Sequence, residues 1–159
     1  RCGSLDPGVI LYLLTQKGMK PEEVTDLLYH RSGLLGVSGL SHDMSELLAN
    51  PLPEAAEAVD LFVYRVVREM GSMAAALGGL DALVFTAGIG EKSPSIRQRI
   101  SEASEWLGIR LDPQANQKGG PRISREESPV SAWVIPTDEE WMIARHMEDL
   151  WKDRSIYGK

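Results

Sequence analysis

The chain has 159 residues, 43% of them hydrophobic, and a formal net charge of −6. This length is enough to bury one core, so one domain is expected. The negative charge argues against nucleic acid and against a membrane surface as partners, and the longest apolar runs are far too short to span a bilayer.

The first residues bear on compartment and chemistry. The sequence begins with Arg1 and continues without signal-peptide or transit-peptide character, so we expect a piece of a longer, cytoplasmic chain. The single cysteine, Cys2, excludes an internal disulfide and is compatible with a reducing compartment. Arginine often stabilises a transferring phosphoryl group, but a terminal arginine is ordinarily just solvated, so the role of Arg1 is open at this point. His30, His42 and His146 have no metal-ligand spacing.

Two short helices are predicted first. Asp6 as N-cap and Pro7 in the first turn begin one helix, and Lys17-Gly18 closes it. The second helix begins at Pro21. Because only a short connection separates the two, they predict an αα-hairpin.

A glycine-rich segment and two further helices follow. Ser32–Ser41 has three glycines among small apolar residues, which favours an ordered loop. Ser41 or Asp43 then caps a short helix that ends at Asn50. A long helix spans Pro53–Leu77, where apolar residues recur at spacings of three and four: Val59, Phe62, Val66, Met70, Met73 and Leu77. We expect this stripe to be a core face, part of which could also face a second subunit.

The most informative stretch is Asp81–Ser95. Ala82–Phe85 is a short apolar run with β-formers, which predicts a strand buried on both faces. Thr86–Gly90 predicts a glycine turn, and Ser93 caps a helix that starts at Pro94. Free N–H groups at such a turn and helix start favour phosphate. The stretch matches neither G-x-G-x-x-G nor the P-loop pattern, so phosphate binding and a purely structural turn are both open.

The last part of the chain contains a second strand and a final helix. Ile109–Asp112 is a candidate short strand, and Gln114–Pro129 is polar, which predicts a surface loop. Ser131–Ile135 predicts a second buried strand, and Asp138 caps the last helix. We expect the end of this helix, residues 154–159, to fray.

Each predicted strand leads through a short turn into a helix. If the strands are parallel neighbours, their carboxyl ends meet and bring Gly88–Lys92 beside Asp138–Glu140. One loop would offer backbone donors to phosphate and the other would offer carboxylates to a divalent cation, as nucleotide–Mg²⁺ chemistry requires. Glu139 is the better ligand candidate because it is nearer the strand end, whereas the helix dipole alone accounts for Glu140; spacing does not decide between them.

Four segments carry a family resemblance: Arg1–Gly8 (RCGSLDPG), Gly33–Gly39 (GLLGVSG), Val84–Glu91 (VFTAGIGE) and Ile135–Glu140 (IPTDEE). Together and in this order they resemble the carboxyl-terminal half of the acetate kinase family. The resemblance implies an α/β fold, a helix-rich part of a ribonuclease-H-like (actin-like ATPase) domain in which two parallel strands each lead into a helix. Residues 1–159 would form the carboxyl-terminal part of the family's carboxyl-terminal domain, without the amino-terminal domain.

The resemblance also implies a reaction and a site. The reaction is reversible phosphoryl transfer between ATP and acetate, giving acetyl phosphate and ADP with Mg²⁺, in a homodimer. By motif, Arg1 is implied to stabilise the transition state and Glu139 to bind Mg²⁺. The implied nucleotide contacts are the loop residues Gly88, Ile89, Gly90, Glu91 and Lys92 and the adenosine-lining residues Asp43, Met44 and Ser45.

This chain departs from the family pattern at two places. Lys92 stands where the family commonly has Asn, and Asp43-Met44-Ser45 stands where it commonly has Asp-Phe-Arg or a similar triplet. Without that aromatic ring and that arginine, stacking against the base is lost. We therefore expect weaker selectivity among purine nucleotides than is usual for the family.

Much of the implied site would precede Arg1, including the first phosphate loop and the acyl pocket. The 159 residues alone are expected to be inactive, because phosphoryl transfer depends on groups from both sides of the cleft. The identity of the carboxylic acid substrate stays open, so a propionate or butyrate kinase is an alternative. A nucleotide-binding or dimerisation module without catalysis is a further alternative, against which the presence of both Arg1 and Glu139 argues.

Overall fold

The structure is a computed structural model that describes the backbone of residues 1–157 and the side chains of residues 1–152. The chain divides into two compact units, one covering Arg1–Gly79 and the other beginning at Leu80. The first unit contains the helices α1 (Pro7–Thr15), α2 (Pro21–His30), α3 (Gly33–Ser38), α4 (Met44–Ala49) and α5 (Pro53–Leu77). The second contains β1 (Ala82–Phe85), α6 (Ala87–Lys92), α7 (Pro94–Ala103), a 3-10 turn (Glu105–Leu107), α8 (Pro113–Lys118), β2 (Ser131–Val134) and α9 (Glu139–Tyr157).

Capping residues begin helices where the sequence predicts them. The Asp6 carboxylate accepts a hydrogen bond from the N–H of Gly8 at 2.7 Å at the start of α1. The Asp43 carboxylate accepts from the N–H groups of Ser45 at 2.7 Å and Glu46 at 3.1 Å at the start of α4. These bonds satisfy N–H groups that have no partner inside the helix. The predicted hairpin of α1 and α2 is confirmed by their packing against each other.

The predicted loop at Ser32–Ser41 is wrong, because α3 occupies most of it. Gly39, at φ +65°, ends this helix in the left-handed conformation. The buried hydroxyl of Ser38 donates to the carbonyl of Leu34 at 2.7 Å, and α3 packs against α5. One of the three glycines therefore ends a short helix rather than marking an irregular loop.

The long helix α5 has the predicted bounds but a different core face. Its buried residues in the first half are small and lie on one face: Ala55, Ala58, Val59 and Val63. Met73 and Leu77 from the predicted stripe are 62% and 74% exposed, so the stripe is core only in its earlier part. The small side chains allow other elements to approach closely. The predicted stripe was chosen from larger apolar residues and therefore missed this face.

The two strands are parallel, as the resemblance implies, and they are neighbours, which was only a condition in the sequence-based prediction. Ala82 pairs with Ser131, and Phe85 pairs with Val134. The prediction that β1 is buried on both faces is wrong: only Phe85 is buried, and Val84 is 45% exposed. In the described residues β1 pairs with β2 alone, so at its other edge no side chains of a neighbouring strand flank and cover its own side chains.

The predicted surface loop at Gln114–Pro129 is also wrong in part. Its first residues form α8, and Ile123 is fully buried. The N–H of Ile123 donates to the carbonyl of Ala132 on β2 at 2.8 Å, while its own carbonyl accepts from Asp112 at 2.8 Å. The segment is therefore held between β2 and the candidate strand Ile109–Asp112, which appears as isolated bridges.

The last helix, α9, begins where Asp138 predicts, since its carboxylate accepts from the N–H of Trp141 at 2.8 Å. The backbone is helical to Tyr157, and the remainder of the segment predicted to fray, residues 158–159, lies outside the described residues. Within residues 1–157, no helix combines the length and the apolarity needed to cross a bilayer.

Candidate nucleotide site at the strand ends

The carboxyl ends of β1 and β2 are joined by one side chain. The Glu91 carboxylate accepts hydrogen bonds from the N–H of Thr137 at 2.9 Å, from the Thr137 hydroxyl at 3.1 Å and from the N–H of Ala87 at 2.7 Å. Ile135 N–H also donates to the carbonyl of Phe85 at 3.0 Å. The segments that follow the two strands therefore lie side by side, as expected for parallel neighbours.

The predicted glycine turn after β1 is a short helix. Ala87, not a glycine, has the left-handed conformation, at φ +59°, and α6 follows directly. A Cβ on Gly90 would lie 3.3 Å from the carbonyl carbon of Phe85, so this glycine serves close packing. A Cβ on Gly88 would meet no heavy atom of the described residues within 4 Å, so the backbone at this position is open to approach from outside.

The charge on Glu91 is stabilised by its contacts. The N–H of Thr137 is the main cause that holds the pKa of Glu91 below its ordinary value, and the Thr137 hydroxyl, the N–H of Ala87 and the nearby Lys92 act in the same direction. A carboxylate that accepts several hydrogen bonds favours its ionised form. Glu91 is therefore an ionised clamp between the two loops at neutral pH.

We expect Glu91→Gln to reduce stability at neutral pH and to have progressively less effect in acid. The pKa of Glu91 is lowered in the folded state. Its carboxylate therefore contributes fully to the free energy of unfolding above the unfolded-state pKa, and this contribution is lost as the pH falls through the folded-state pKa. Denaturant unfolding of the full-length protein and the variant, from neutral to acid pH, measures this. Thr137→Val removes only the hydroxyl donor and should show a smaller loss; identical pH profiles for wild type and Glu91→Gln would contradict the clamp.

Arg97 supports the same segment from the interior, and sequence reasoning missed it. Its Nη1 donates to the carbonyls of Gly90 at 2.9 Å and Glu91 at 2.7 Å. Its Nε donates to the Asn116 side-chain oxygen at 2.8 Å and its Nη2 to the Asn116 carbonyl at 2.7 Å. Burial lowers the pKa of the fully buried Arg97 guanidinium, which nevertheless stays charged because arginine is not deprotonated in proteins. A signal was present in the sequence, since Arg97 lies on the same face of α7 as Ile100.

Glu139 lies at the start of α9, next to this edge. Asp138 is occupied as the cap of the helix, whereas the exposed Glu139 carboxylate makes no hydrogen bond or ion pair with any residue from 1 to 152. The described residues contain no cluster of three or more His, Cys, Asp or Glu side chains that could hold a metal by themselves. A single free carboxylate suits Mg²⁺, which commonly binds one or two carboxylates together with substrate phosphates and waters.

Arg1 and the segment Asp43–Ser45 belong to the first unit. Within Asp43–Ser45, the Met44 side chain is buried in the core, so only the backbone of Met44 is available to contact a ligand. Asp43 and Ser45 are exposed. The hydrogen bonds from the N–H groups of Glu46 and Ser45 lower the pKa of Asp43, which caps α4 as an anion.

Arg1 lines an open, basic cavity of about 1160 Å³ in the first unit, together with His30, Arg31, His42 and Arg65. Its guanidinium lies 5.4 Å from the centre of the Tyr29 ring, within the range of a cation–π contact. The N–H of Cys2 donates to the carbonyl of Leu28 at 3.1 Å, which fastens the start of the chain to α2.

Gly33→Ala is expected to displace Arg1. Gly33 has φ +62°, and a Cβ there would lie 2.6 Å from the carbonyl oxygen of Arg1. Gly39→Ala is the matched control: its φ is +65°, but a Cβ there meets no heavy atom of the described residues within 4 Å. Both changes carry the left-handed penalty of roughly 1–2 kcal/mol, so the excess loss for Gly33→Ala, about 1–3 kcal/mol, reports the clash. Urea unfolding of the full-length proteins measures the difference, and equal losses would contradict the close approach.

Comparisons with known proteins find similarity along most of the chain. The acetokinase family model matches residues 1–145. An acetate kinase from Rhodopseudomonas palustris (strain TIE-1) is 63% identical over 149 residues, which cover 92% of this chain and 37% of that protein.

Two solved structures are also similar. One is an acetate kinase from Porphyromonas gingivalis, with a TM-score of 0.82 and 38% identity over 95% of this chain and 39% of that chain. The other is a propionate kinase from Francisella tularensis, with a TM-score of 0.81 and 37% identity over 91% of this chain and 38% of that chain. The chain thus spans little more than a third of the length of these proteins. The predicted fold, a helix-rich part of an actin-like ATPase domain with two parallel strands, is confirmed.

Proposed function

Since this chain belongs to the acetokinase family, we propose that it is part of an acetate kinase, which transfers a phosphoryl group reversibly between ATP and acetate. Residues 1–159 would form the carboxyl-terminal part of the enzyme's carboxyl-terminal domain. The whole enzyme would act as a cytoplasmic homodimer, and this part alone would be inactive.

The observation that supports this proposal most strongly is the pair of segments that Glu91 holds together. One segment offers an open backbone at Gly88, where a phosphate could approach. The other offers Glu139, a carboxylate without a partner in the described part of the chain. An open backbone position in one segment and a carboxylate two residues beyond Thr137 in the other would provide what a nucleotide and its metal ion need at one edge.

Each residue of the site has a role in this proposal. The loop Gly88–Lys92, with Gly88, Ile89, Gly90, Glu91 and Lys92, would bind the nucleotide phosphates, and Asp43–Ser45 would line the adenosine. The planar guanidinium of Arg1 would donate hydrogen bonds to the equatorial oxygens of the transferring group, where negative charge is spread in the transition state. Such donors lower the barrier when they are already in position before the reaction.

Glu139 would hold Mg²⁺ in the proposed enzyme. The donor set fits this ion, because one exposed carboxylate beside a phosphate-binding backbone leaves the remaining positions to phosphate oxygens and water. When bound, Mg²⁺ neutralises charge between phosphoryl oxygens. The role of the protein is to present the Glu139 carboxylate at the start of α9, where Asp138 fixes the first turn.

The acid substrate is the first point to test. The likeness to a propionate kinase structure is nearly as high as that to an acetate kinase structure, which makes propionate the second candidate. Acyl phosphate formation by the full-length protein with acetate, propionate and butyrate measures the preference. We expect acetate to give the highest kcat/KM. Absence of acyl phosphate with all three acids would overturn the kinase proposal, and nucleotide binding without turnover would favour a non-catalytic module.

The nucleotide specificity follows from the segment that caps α4. Because Met44 and Ser45 replace a commonly aromatic and basic pair, we expect ATP and GTP to be used with similar efficiency. Ser45→Arg should shift the preference by offering a guanidinium to the base. Comparing kcat/KM for ATP and GTP tests this; an unchanged ratio in Ser45→Arg, together with a loss of activity, would count against it.

A further inference from the structure

We propose that Arg97, held by Asn116, is the positioning residue of the nucleotide loop, an inference that rests on the proposed binding of nucleotide at Gly88–Lys92. Arg97 would not touch the nucleotide. It would set the place of the loop by binding its carbonyl oxygens from the interior of the second unit.

The chemistry of Arg97 is unusual for a fully buried charge. Its partners in the described part of the chain are carbonyl and amide oxygens, and none of them is a carboxylate. Burying a guanidinium is unfavourable unless its donors are satisfied, and an apolar side chain of similar volume would avoid that penalty. What the guanidinium adds is direction, because its rigid planar donors fix the acceptors in defined positions.

Those acceptors are the carbonyls at the end of α6. Nη1 binds the carbonyls of Gly90 and Glu91, which have no partner inside so short a helix. The other end of α6 is held by the Glu91 carboxylate, which accepts from the N–H of Ala87. Gly90 packs against Phe85 between these two points. The loop is thus fixed at both ends and on its inner side, while the backbone at Gly88 stays open.

Asn116 determines how Arg97 is oriented. It is buried in α8, and it accepts from Arg97 through both its side-chain oxygen and its carbonyl. Its side-chain amide donates to the carbonyl of Pro94 at 2.9 Å, which fixes which way the amide points. The hydrogen bonds from Asn116 to Arg97 and from Arg97 to the loop therefore link α8 to the proposed nucleotide site.

The test compares four variants of the full-length protein. Arg97→Gln and Arg97→Lys remove the planar set of guanidinium donors. Asn116→Ala removes the side-chain oxygen that accepts from Nε and keeps the backbone carbonyl that accepts from Nη2. Arg122→Gln is the matched control, because Arg122 also donates to two successive backbone carbonyls, those of Arg125 and Glu126, but in a different segment. The measurements are kcat, KM for ATP, KM for acetate, and the rise in Tm that ADP produces.

We expect the Arg97 and Asn116 variants to raise KM for ATP about tenfold, because a shift of the loop misplaces its donors, and to leave KM for acetate within about twofold. They should also reduce the ADP-dependent rise in Tm. Arg122→Gln should lower the Tm of the free protein and leave the ratio of KM for ATP to KM for acetate unchanged. If Arg97→Gln does not fold, Asn116→Ala and Arg97→Lys provide the comparison.

Two failures can be told apart. If the wild type forms acyl phosphate and the Arg97 and Asn116 variants change both KM values equally, or neither, the positioning role is overturned and the proposed function stands. If the wild type forms no acyl phosphate but ADP raises its Tm, and the Arg97 and Asn116 variants reduce that rise while Arg122→Gln does not, the positioning role stands without the kinase. Absence of both activity and an ADP effect in the wild type overturns both.

Discussion

Replacing Arg1 with alanine in the full-length protein is expected to lower kcat roughly a thousandfold, the lower part of the range for an arginine that stabilises phosphoryl transfer. The physical reason is that the charge on the transferring group would lose a planar donor pair that is in position before the reaction. KM for ATP should change little, because the loop in the second unit and not Arg1 would bind the nucleotide. Steady-state kinetics in the direction of acyl phosphate synthesis measure both constants.

The control for Arg1 lies in the same cavity. Arg31 also lines it, but its guanidinium is paired with Asp26 at 2.6 Å, so Arg31→Ala should leave kcat within a few-fold of the wild type. Free guanidinium ion should restore part of the activity of Arg1→Ala and have no such effect on Arg31→Ala. A wild-type kcat in Arg1→Ala would remove Arg1 from the proposed chemistry.

Glu139→Gln is expected to lower kcat/KM roughly a hundredfold, in line with the loss of one group that stabilises charge in a transition state. The change keeps the size of the side chain but removes the negative charge that a hard divalent cation prefers. The concentration of Mg²⁺ needed for half-maximal activity should rise as well. Titration of Mg²⁺ at saturating ATP and acetate separates this effect from a loss of nucleotide binding.

Glu140→Gln is the matched control for Glu139→Gln. The neighbouring carboxylate is also in the first turn of α9, where the helix dipole favours negative charge. Its loss should reduce stability by roughly 0.3–1 kcal/mol and leave the Mg²⁺ dependence unchanged. If the two variants require the same raised Mg²⁺ concentration, Glu139 is not the specific ligand.

Much of the fold could be predicted because the signals are local. Asp6, Asp43 and Asp138 cap the helices that they were expected to cap, since a cap and its N–H partners lie within three residues. The bounds of α5 follow from apolar residues that recur at spacings of three and four over many helical turns. Two apolar runs, each leading into a helix, indicated two strands, and the family resemblance implied that they are parallel; the structure shows that they also pair with each other.

The elements that were missed are short. The helices α3, α6 and α8 each have six residues, and isolated helices of this length are unstable in water. The formation of α3 and α6 therefore depends on what they pack against. The helix α8 carries a local signal that was overlooked, the cap Asp112 followed by Pro113. The core face of α5 also depends on packing. Other elements pack against its small side chains, so these and not the largest apolar side chains are buried.

Motifs, helix caps and hydrophobic periods are properties of neighbouring residues, and they were sufficient to predict the family, the order of the main elements and the edge at which the proposed site lies. The contacts that hold the stretch after β1 come from distant parts of the chain and became visible in the folded structure. There Glu91 reaches Thr137 and Arg97 reaches Asn116, over separations of 46 and 19 residues. Whether an arginine is buried, or a glycine such as Gly88 stays open, depends on atoms that distant parts of the chain bring to it.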